Sequence, residues 1–152
     1  MRITDLLTED GILLSASVQT KEEVINMLVS GPKRFGCITD AAACRADVLA
    51  REHQGTTALP HGIAIPHAKS RGVSAQGISV MTVPGGIDFG AADGTKTRLI
   101  FLLVGPENDP AGYQELLSAL LLLLIKNVGL AEQLIDAKSS VDFMNLLRAA
   151  EQ

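Results

Sequence analysis

Two of the three histidines lie six positions apart in one short segment, His61-Gly62-Ile63-Ala64-Ile65-Pro66-His67-Ala68-Lys69. An imidazole can ligate a metal, relay a proton or carry a covalent group on a ring nitrogen. Metal binding fits this spacing poorly. Six extended steps put the two Cα atoms about 20 Å apart, whereas two ligands of one zinc ion must each approach it to about 2 Å. No CxxC, HExxH or carboxylate cluster lies nearby. Nucleophilic chemistry fits better. With an ordinary pKa of about 6.5, a histidine keeps a free lone pair near neutral pH. Phosphoryl transfer to such a nitrogen asks mainly for positioning, with donors and cations around the phosphoryl oxygens. Pro66 removes backbone freedom beside His67. Arg51, Thr56, Thr57 and Lys69 are the candidate donors. Arg51 leads them, because a guanidinium can hold two oxygens at once. The alternative is a histidine at a strand end that only makes a structural hydrogen bond. A serine hydrolase would need a GxSxG elbow, and nucleotide binding a GxGxxG or P-loop; the chain has none of these.

The elements that must position these residues are readable in part. Residues 3–7 suggest a helical turn and residues 12–14 a brief strand. Thr20 followed by Lys21, Glu22 and Glu23 reads as an N-cap with acids in the first turn, and Val24, Ile25, Leu28 and Val29 repeat at helical spacing. Gly31-Pro32 is expected to stop that helix. Asp40 caps a second helix over residues 41–54, ended by Gly55. Residues 56–66 suggest short strands or extended loop, and residues 77–83 a strand followed by a Pro84-Gly85-Gly86 turn. Residues 99–104 form a continuously apolar strand of the kind covered on both faces. Asp109-Pro110 starts a helix to about Asn127, and residues 130–137 and 140–149 form two more. Strands in the middle with helices on either side predict an α+β or α/β layered fold, a mixed β-sheet flanked by helices, as one domain over residues 1–152.

The composition narrows the function classes. The chain has 152 residues, 47% hydrophobic and 20% charged, with a net charge of −4. That is the balance of a folded domain and excludes a wholly disordered chain. A negative chain lacks the basic stripe of a nucleic-acid surface and the cations that attach proteins to acidic membranes. Aromatic residues are only 3%, too few for a base- or sugar-stacking platform. Two cysteines, Cys37 and Cys44, read as ordinary thiols of a reducing compartment. The opening residues lack a signal-peptide pattern. The apolar run at residues 116–125 is too short to cross a bilayer, and reads as a buried helix with part of it available as a homodimer face. A cytoplasmic protein without membrane insertion is expected. His53, near a polar helix end, is expected on the surface.

The segment Arg51-Glu52, Gly55-Thr56-Thr57 and Gly62-Ile63-Ala64-Ile65-Pro66-His67 closely resembles the active-site stretch of enzyme IIA domains of the fructose/mannitol type. These belong to the bacterial phosphoenolpyruvate-dependent sugar phosphotransferase system and include the nitrogen-regulatory IIA proteins. The resemblance covers nearly the whole chain, from Ile3-Thr4-Asp5-Leu6-Leu7 through Ile87-Asp88-Phe89 and Asp93-Gly94 to the apolar strand and Pro106. It implies that His67 is phosphorylated by the phosphocarrier HPr or a relative, and that the group passes to a cysteine of a IIB domain or permease. No cofactor or metal is implied. Arg51 matches the family's active-site arginine, while Thr57 and Thr56 are placed to supply hydroxyls. His61 falls where the family varies, as an accessory polar group or a surface residue. Many members carry a second active-site histidine at the start of the long helix; here Tyr113, in Gly112-Tyr113-Gln114-Glu115-Leu116-Leu117-Ser118, falls closest to it. A tyrosine donates a hydrogen bond but carries no positive charge. Two outcomes follow from that departure: transfer in a weaker charge environment, or a regulatory protein whose phosphohistidine controls contacts with protein targets.

Overall fold

The computed structural model describes residues 2–30 and 36–152. Its centre is strand β6 (Thr97–Pro106), whose residues from Leu99 to Val104 are all fully buried. Alternation along this strand divides the molecule. Leu99, Phe101 and Leu103 enter one hydrophobic core, Ile100, Leu102 and Val104 the other. A strand covered on both faces has no polar side, which is why its sequence reads as one apolar run.

The sheet runs β1-β5-β6-β3-β2, with β4 also paired to β6. It is mixed. Strand β5 (Gly77–Ile87) lies antiparallel to β6, while β1 (Ile12–Leu13) is parallel to β5. Strand β2 (Ala58–Leu59) makes a short antiparallel pair with β3 (Ile63–Ala64). Both β3 and β4 (His67–Ser70) run parallel to β6 along one edge. Their register is continuous: Ile63 faces Leu99 and His67 faces Leu103, an offset of 36 residues in each case.

Helices cover both faces. One core holds residues from α1 (Ile3–Leu6), α4 (Pro110–Lys126), α5 (Leu130–Asp136) and α6 (Ser140–Glu151). The other holds residues from α2 (Lys21–Ser30) and α3 (Ala41–His53). Helix starts follow local chemistry. Thr20 and Glu23 form a reciprocal capping box, with each side chain accepting the other's backbone N–H at 3.1 Å. Asp40 accepts from the Ala43 N–H at 3.0 Å, and Asp109 from the Gly112 N–H at 3.0 Å, with Pro110 at the first helical position. At the far end, the Glu151 carboxylate accepts from the backbone N–H groups of Ile3 at 2.6 Å and Thr4 at 3.2 Å, and from the Thr4 hydroxyl at 2.7 Å. This ties the last helix to the first.

Two expectations need correction. Pro84-Gly85-Gly86 is not a turn between strands. Strand β5 continues through it as a bulge, since Thr82 faces Leu99 and Ile87 faces Thr97, five steps on one strand against two on the other. Gly86 has φ +76°, open to glycine at no steric cost, and the Pro84 carbonyl accepts from Arg98 Nε at 3.2 Å. The apolar run at residues 116–125 is also only partly core. Leu116, Leu120 and Leu123 are buried, whereas Leu122 and Ile125 are exposed. The expected Gly31-Pro32 helix stop lies outside the described residues. Among the described residues no single helix is long and apolar enough to cross a membrane.

Candidate functional site

His67 opens β4, and its backbone is pinned to β6. It faces Leu103 of β6, and the Leu103 N–H donates to the Pro66 carbonyl at 3.0 Å. Alternation sets the direction of the ring. Ile63 and Ile65 belong to the core under α4, and Ala64 and Ala68 to the opposite one. His67 therefore projects on the α4 face, where the Tyr113 ring lies 6.1 Å away, centroid to centroid. A strand at residues 67–70 was not expected, because its apolar content is low and its pairing partner is distant in sequence.

The ring is held in a defined state. Its Nδ1 lies 2.7 Å from the Ile65 carbonyl. A carbonyl only accepts, so Nδ1 carries the proton and Nε2 keeps the lone pair. Partial burial lowers the pKa from its ordinary 6.5, with the Arg51 charge acting in the same direction; the Ile65 hydrogen bond and the Glu52 carboxylate oppose the shift. Burial disfavours the cation, so the neutral, nucleophilic form prevails at lower pH than in a free histidine.

Around His67 is a cleft of about 170 Å³. Arg51, Thr56, Thr57 and His67 supply its polar groups, and Leu59, Ile65, Leu117 and Leu121 its apolar wall. Arg51 comes from the last turn of α3, and one guanidinium nitrogen donates to the Gly55 carbonyl at 2.8 Å. The remaining guanidinium N–H groups have no partner among the hydrogen bonds of the described residues. Tyr113 sits in the first turn of α4 with its phenol pKa pushed up to about 12 by burial, which keeps it a protonated donor. Lys69, two residues beyond His67 on the same strand face, places its ammonium 5.9 Å from the Tyr113 ring centre.

The two threonines are in the cleft, with both hydroxyls turned to acceptors of the protein itself. The Thr57 hydroxyl donates to Glu52 Oε1 at 2.5 Å, and the Thr56 hydroxyl donates to the Phe89 carbonyl. Each hydroxyl has one proton, and an anionic oxygen needs a donor. In this arrangement both hydroxyl protons are engaged within the protein. Both acceptors are invisible to local spacing. His61 is not brought to the cleft. Its backbone has φ +71°, its N–H donates to Asp93 at 3.3 Å, and it lines a separate apolar hollow of about 610 Å³ beside α4.

Glu52 is the residue that sequence reasoning passed over. It is buried at the end of α3 and accepts from Lys21 Nζ at 2.9 Å and from the Thr57 N–H at 2.9 Å, besides the Thr57 hydroxyl. Its place directly after Arg51 was the available signal. His53 is exposed. Both cysteines are free thiols, and burial pushes Cys44 up to about 12, far from a reactive thiolate. Among the described residues no group of three His, Cys, Asp or Glu side chains could hold a metal ion.

Known proteins share this architecture. The family model described as phosphoenolpyruvate-dependent sugar phosphotransferase system, EIIA 2, matches residues 5–150. The chain is 34% identical over 148 residues to the PTS system fructose-specific EIIABC component of Bacillus subtilis, covering 95% of this chain but 23% of that protein. It is 31% identical over 150 residues to the PTS system fructose-specific EIIA component of Haloferax volcanii, covering 97% of each. The solved structure of the nitrogen regulatory protein IIA-Ntr from Neisseria meningitidis superposes with a TM-score of 0.85 at 28% identity, covering 95% of this chain and 98% of that one.

Proposed function

The chain belongs to the phosphoenolpyruvate-dependent sugar phosphotransferase system EIIA 2 family, and on that premise we propose that it is a phosphocarrier that takes a phosphoryl group on Nε2 of His67. The observation that carries this reading is the 2.7 Å contact between Nδ1 and the Ile65 carbonyl, beside a cleft that also holds Arg51. The donor is an HPr-like protein bearing phosphohistidine. The Nε2 lone pair attacks phosphorus, the donor's N–P bond breaks, and its electron pair returns to the donor imidazole. The product on this chain has phosphorus on Nε2 and hydrogen on Nδ1, a cationic ring that the Ile65 carbonyl stabilises. That charge makes the ring a good leaving group. A cysteine thiolate of a IIB domain or permease then attacks phosphorus, and the Nε2–P electrons return to the ring.

The surrounding groups have separable tasks. Arg51 brings positive charge and unused N–H groups to the phosphoryl oxygens. Tyr113 offers a neutral phenol donor from the first turn of α4, with Lys69 as the cation behind it. Thr56 and Thr57 shape the cleft through their backbone. His61, on the neighbouring hollow, is assigned to partner contact and not to chemistry. Such transfer takes place in the cytoplasm, where an HPr-like donor would be met.

A second reading has its own support in the likeness to the Neisseria IIA-Ntr structure and in the uncharged Tyr113. There the same phosphohistidine acts as a switch, because two added negative charges at the cleft mouth change which proteins can dock.

Incubation with phosphoenolpyruvate, enzyme I and HPr, followed by intact mass measurement, tests the reading. The expected result is one acid-labile phosphoryl group on the wild type and none on His67→Ala. Absence of label, with a control IIA protein fully labelled in the same mixture, overturns it. Adding a IIB domain separates the two roles: discharge to its cysteine marks the transport chain.

A further inference from the structure

An unbroken series of hydrogen bonds runs from α2 to the ring of His67. Lys21 Nζ donates to Glu52 Oε2 at 2.9 Å. Glu52 holds Thr57 twice, by the backbone N–H at 2.9 Å and by the hydroxyl at 2.5 Å. The Thr57 carbonyl accepts from the Ile65 N–H at 3.2 Å, and the Ile65 carbonyl accepts from His67 Nδ1 at 2.7 Å. Lys21 also lies 4.9 Å over the ring of Phe89, the residue whose carbonyl holds Thr56. The two adjacent threonines are thus fastened by two acceptors that share one cation.

Glu52 is an expensive residue to keep here. Its side chain is only 1% exposed, and a buried carboxylate is tolerated only when paired and hydrogen-bonded. Two of its three bonds hold Thr57, whose carbonyl accepts from the N–H of Ile65, the residue whose own carbonyl faces His67. That carbonyl in turn decides which ring nitrogen of His67 carries the proton.

We propose that Glu52, held by Lys21, is a positioning residue that aims His67, acting through Thr57 and the Ile65 peptide to keep the proton on Nδ1 and the lone pair of Nε2 facing the cleft. The mechanistic consequence rests on the reading of His67 as the phosphoryl acceptor; the tautomer is an independent observable. Without the carboxylate, the Thr57 N–H and hydroxyl lose their acceptor, the 56–57 segment relaxes, and the Ile65 carbonyl loses its fixed direction. Misplacement of a reacting atom by about 1 Å can cost on the order of 100-fold in rate.

The test compares full-length wild type, Glu52→Ala and Glu52→Gln. Nitrogen-15 NMR of the imidazole reads the His67 tautomer, and quench-flow with phosphorylated HPr reads kcat and KM. The expected result is an Nδ1–H tautomer in the wild type, a mixture in Glu52→Ala, and a kcat lower by about tenfold or more with KM little changed. Glu52→Gln, which keeps an acceptor oxygen for Thr57, recovers both readouts in large part. If Glu52→Ala does not fold, Thr57→Val removes the hydroxyl tie and is read in the same way. A folded variant with wild-type tautomer and wild-type kcat overturns the proposal. A wild type that takes no phosphoryl group, yet changes tautomer on loss of Glu52, overturns the phosphocarrier reading and leaves the positioning role standing.

Discussion

His67 is a base made easier to keep neutral, and that has two consequences for its pH behaviour. Its folded-state pKa lies below the ordinary 6.5, chiefly through burial. The rate of phosphoryl acceptance should therefore stay level from neutral pH down past 6.5 and fall only at lower pH, which quench-flow across a buffer series measures. For stability the sign runs the same way. The unfolded chain binds this proton more tightly than the folded one, so the contribution from His67 is intact above about pH 6.5 and is lost as the pH falls through the folded-state pKa. Tyr113→Phe should leave that profile in place while lowering kcat by about tenfold, the worth of one hydrogen bond to a charged group. At this scale the sequence was legible wherever chemistry is a matter of residue type and close spacing. His67, Arg51 and the threonine pair could be found that way. It was illegible wherever a distant partner decides the role. The proton of Thr56 is taken by Phe89, 33 positions away, and the carboxylate of Glu52 is neutralised by Lys21, 31 positions away.

Elements were readable to the extent that their signals are local. The caps at Asp40 and Asp109 bond to N–H groups three residues on, so type and spacing suffice to find them. Asp40→Ala should cost about 1 kcal/mol of stability, seen as a lower urea midpoint, because α3 loses its cap. Phosphoryl acceptance should be unchanged, since Arg51 and Glu52 are at the other end of that helix. Strand β4 and the bulge in β5 were not readable, for a shared reason. A strand's existence depends on what it pairs with, and the pairing of His67 with Leu103 spans 36 residues. A Pro-Gly-Gly stretch fits a turn or a bulge equally well until the register on β6 is known. The central strand β6 was legible because burial on both faces leaves its mark in every residue from Leu99 to Val104.

At the scale of the whole molecule, two cores on opposite faces of one sheet meet at the edge where β3 and β4 follow one another along β6, and the cleft lies at that edge. Layer order followed from the sequence of helical and strand signals; the path of each helix over the sheet did not. The Glu151 contacts with Ile3 and Thr4 are the long-range tie that closes this arrangement. Glu151→Ala removes three acceptor contacts and should cost about 1–2 kcal/mol, a fall in Tm of roughly 4 °C by calorimetry. The same tie works as a latch that holds α1 against α6. A nick at the exposed Asp93-Gly94-Thr95 corner would therefore leave two pieces still clasped together, with His67, Arg51 and Glu52 on a single stretch of one of them.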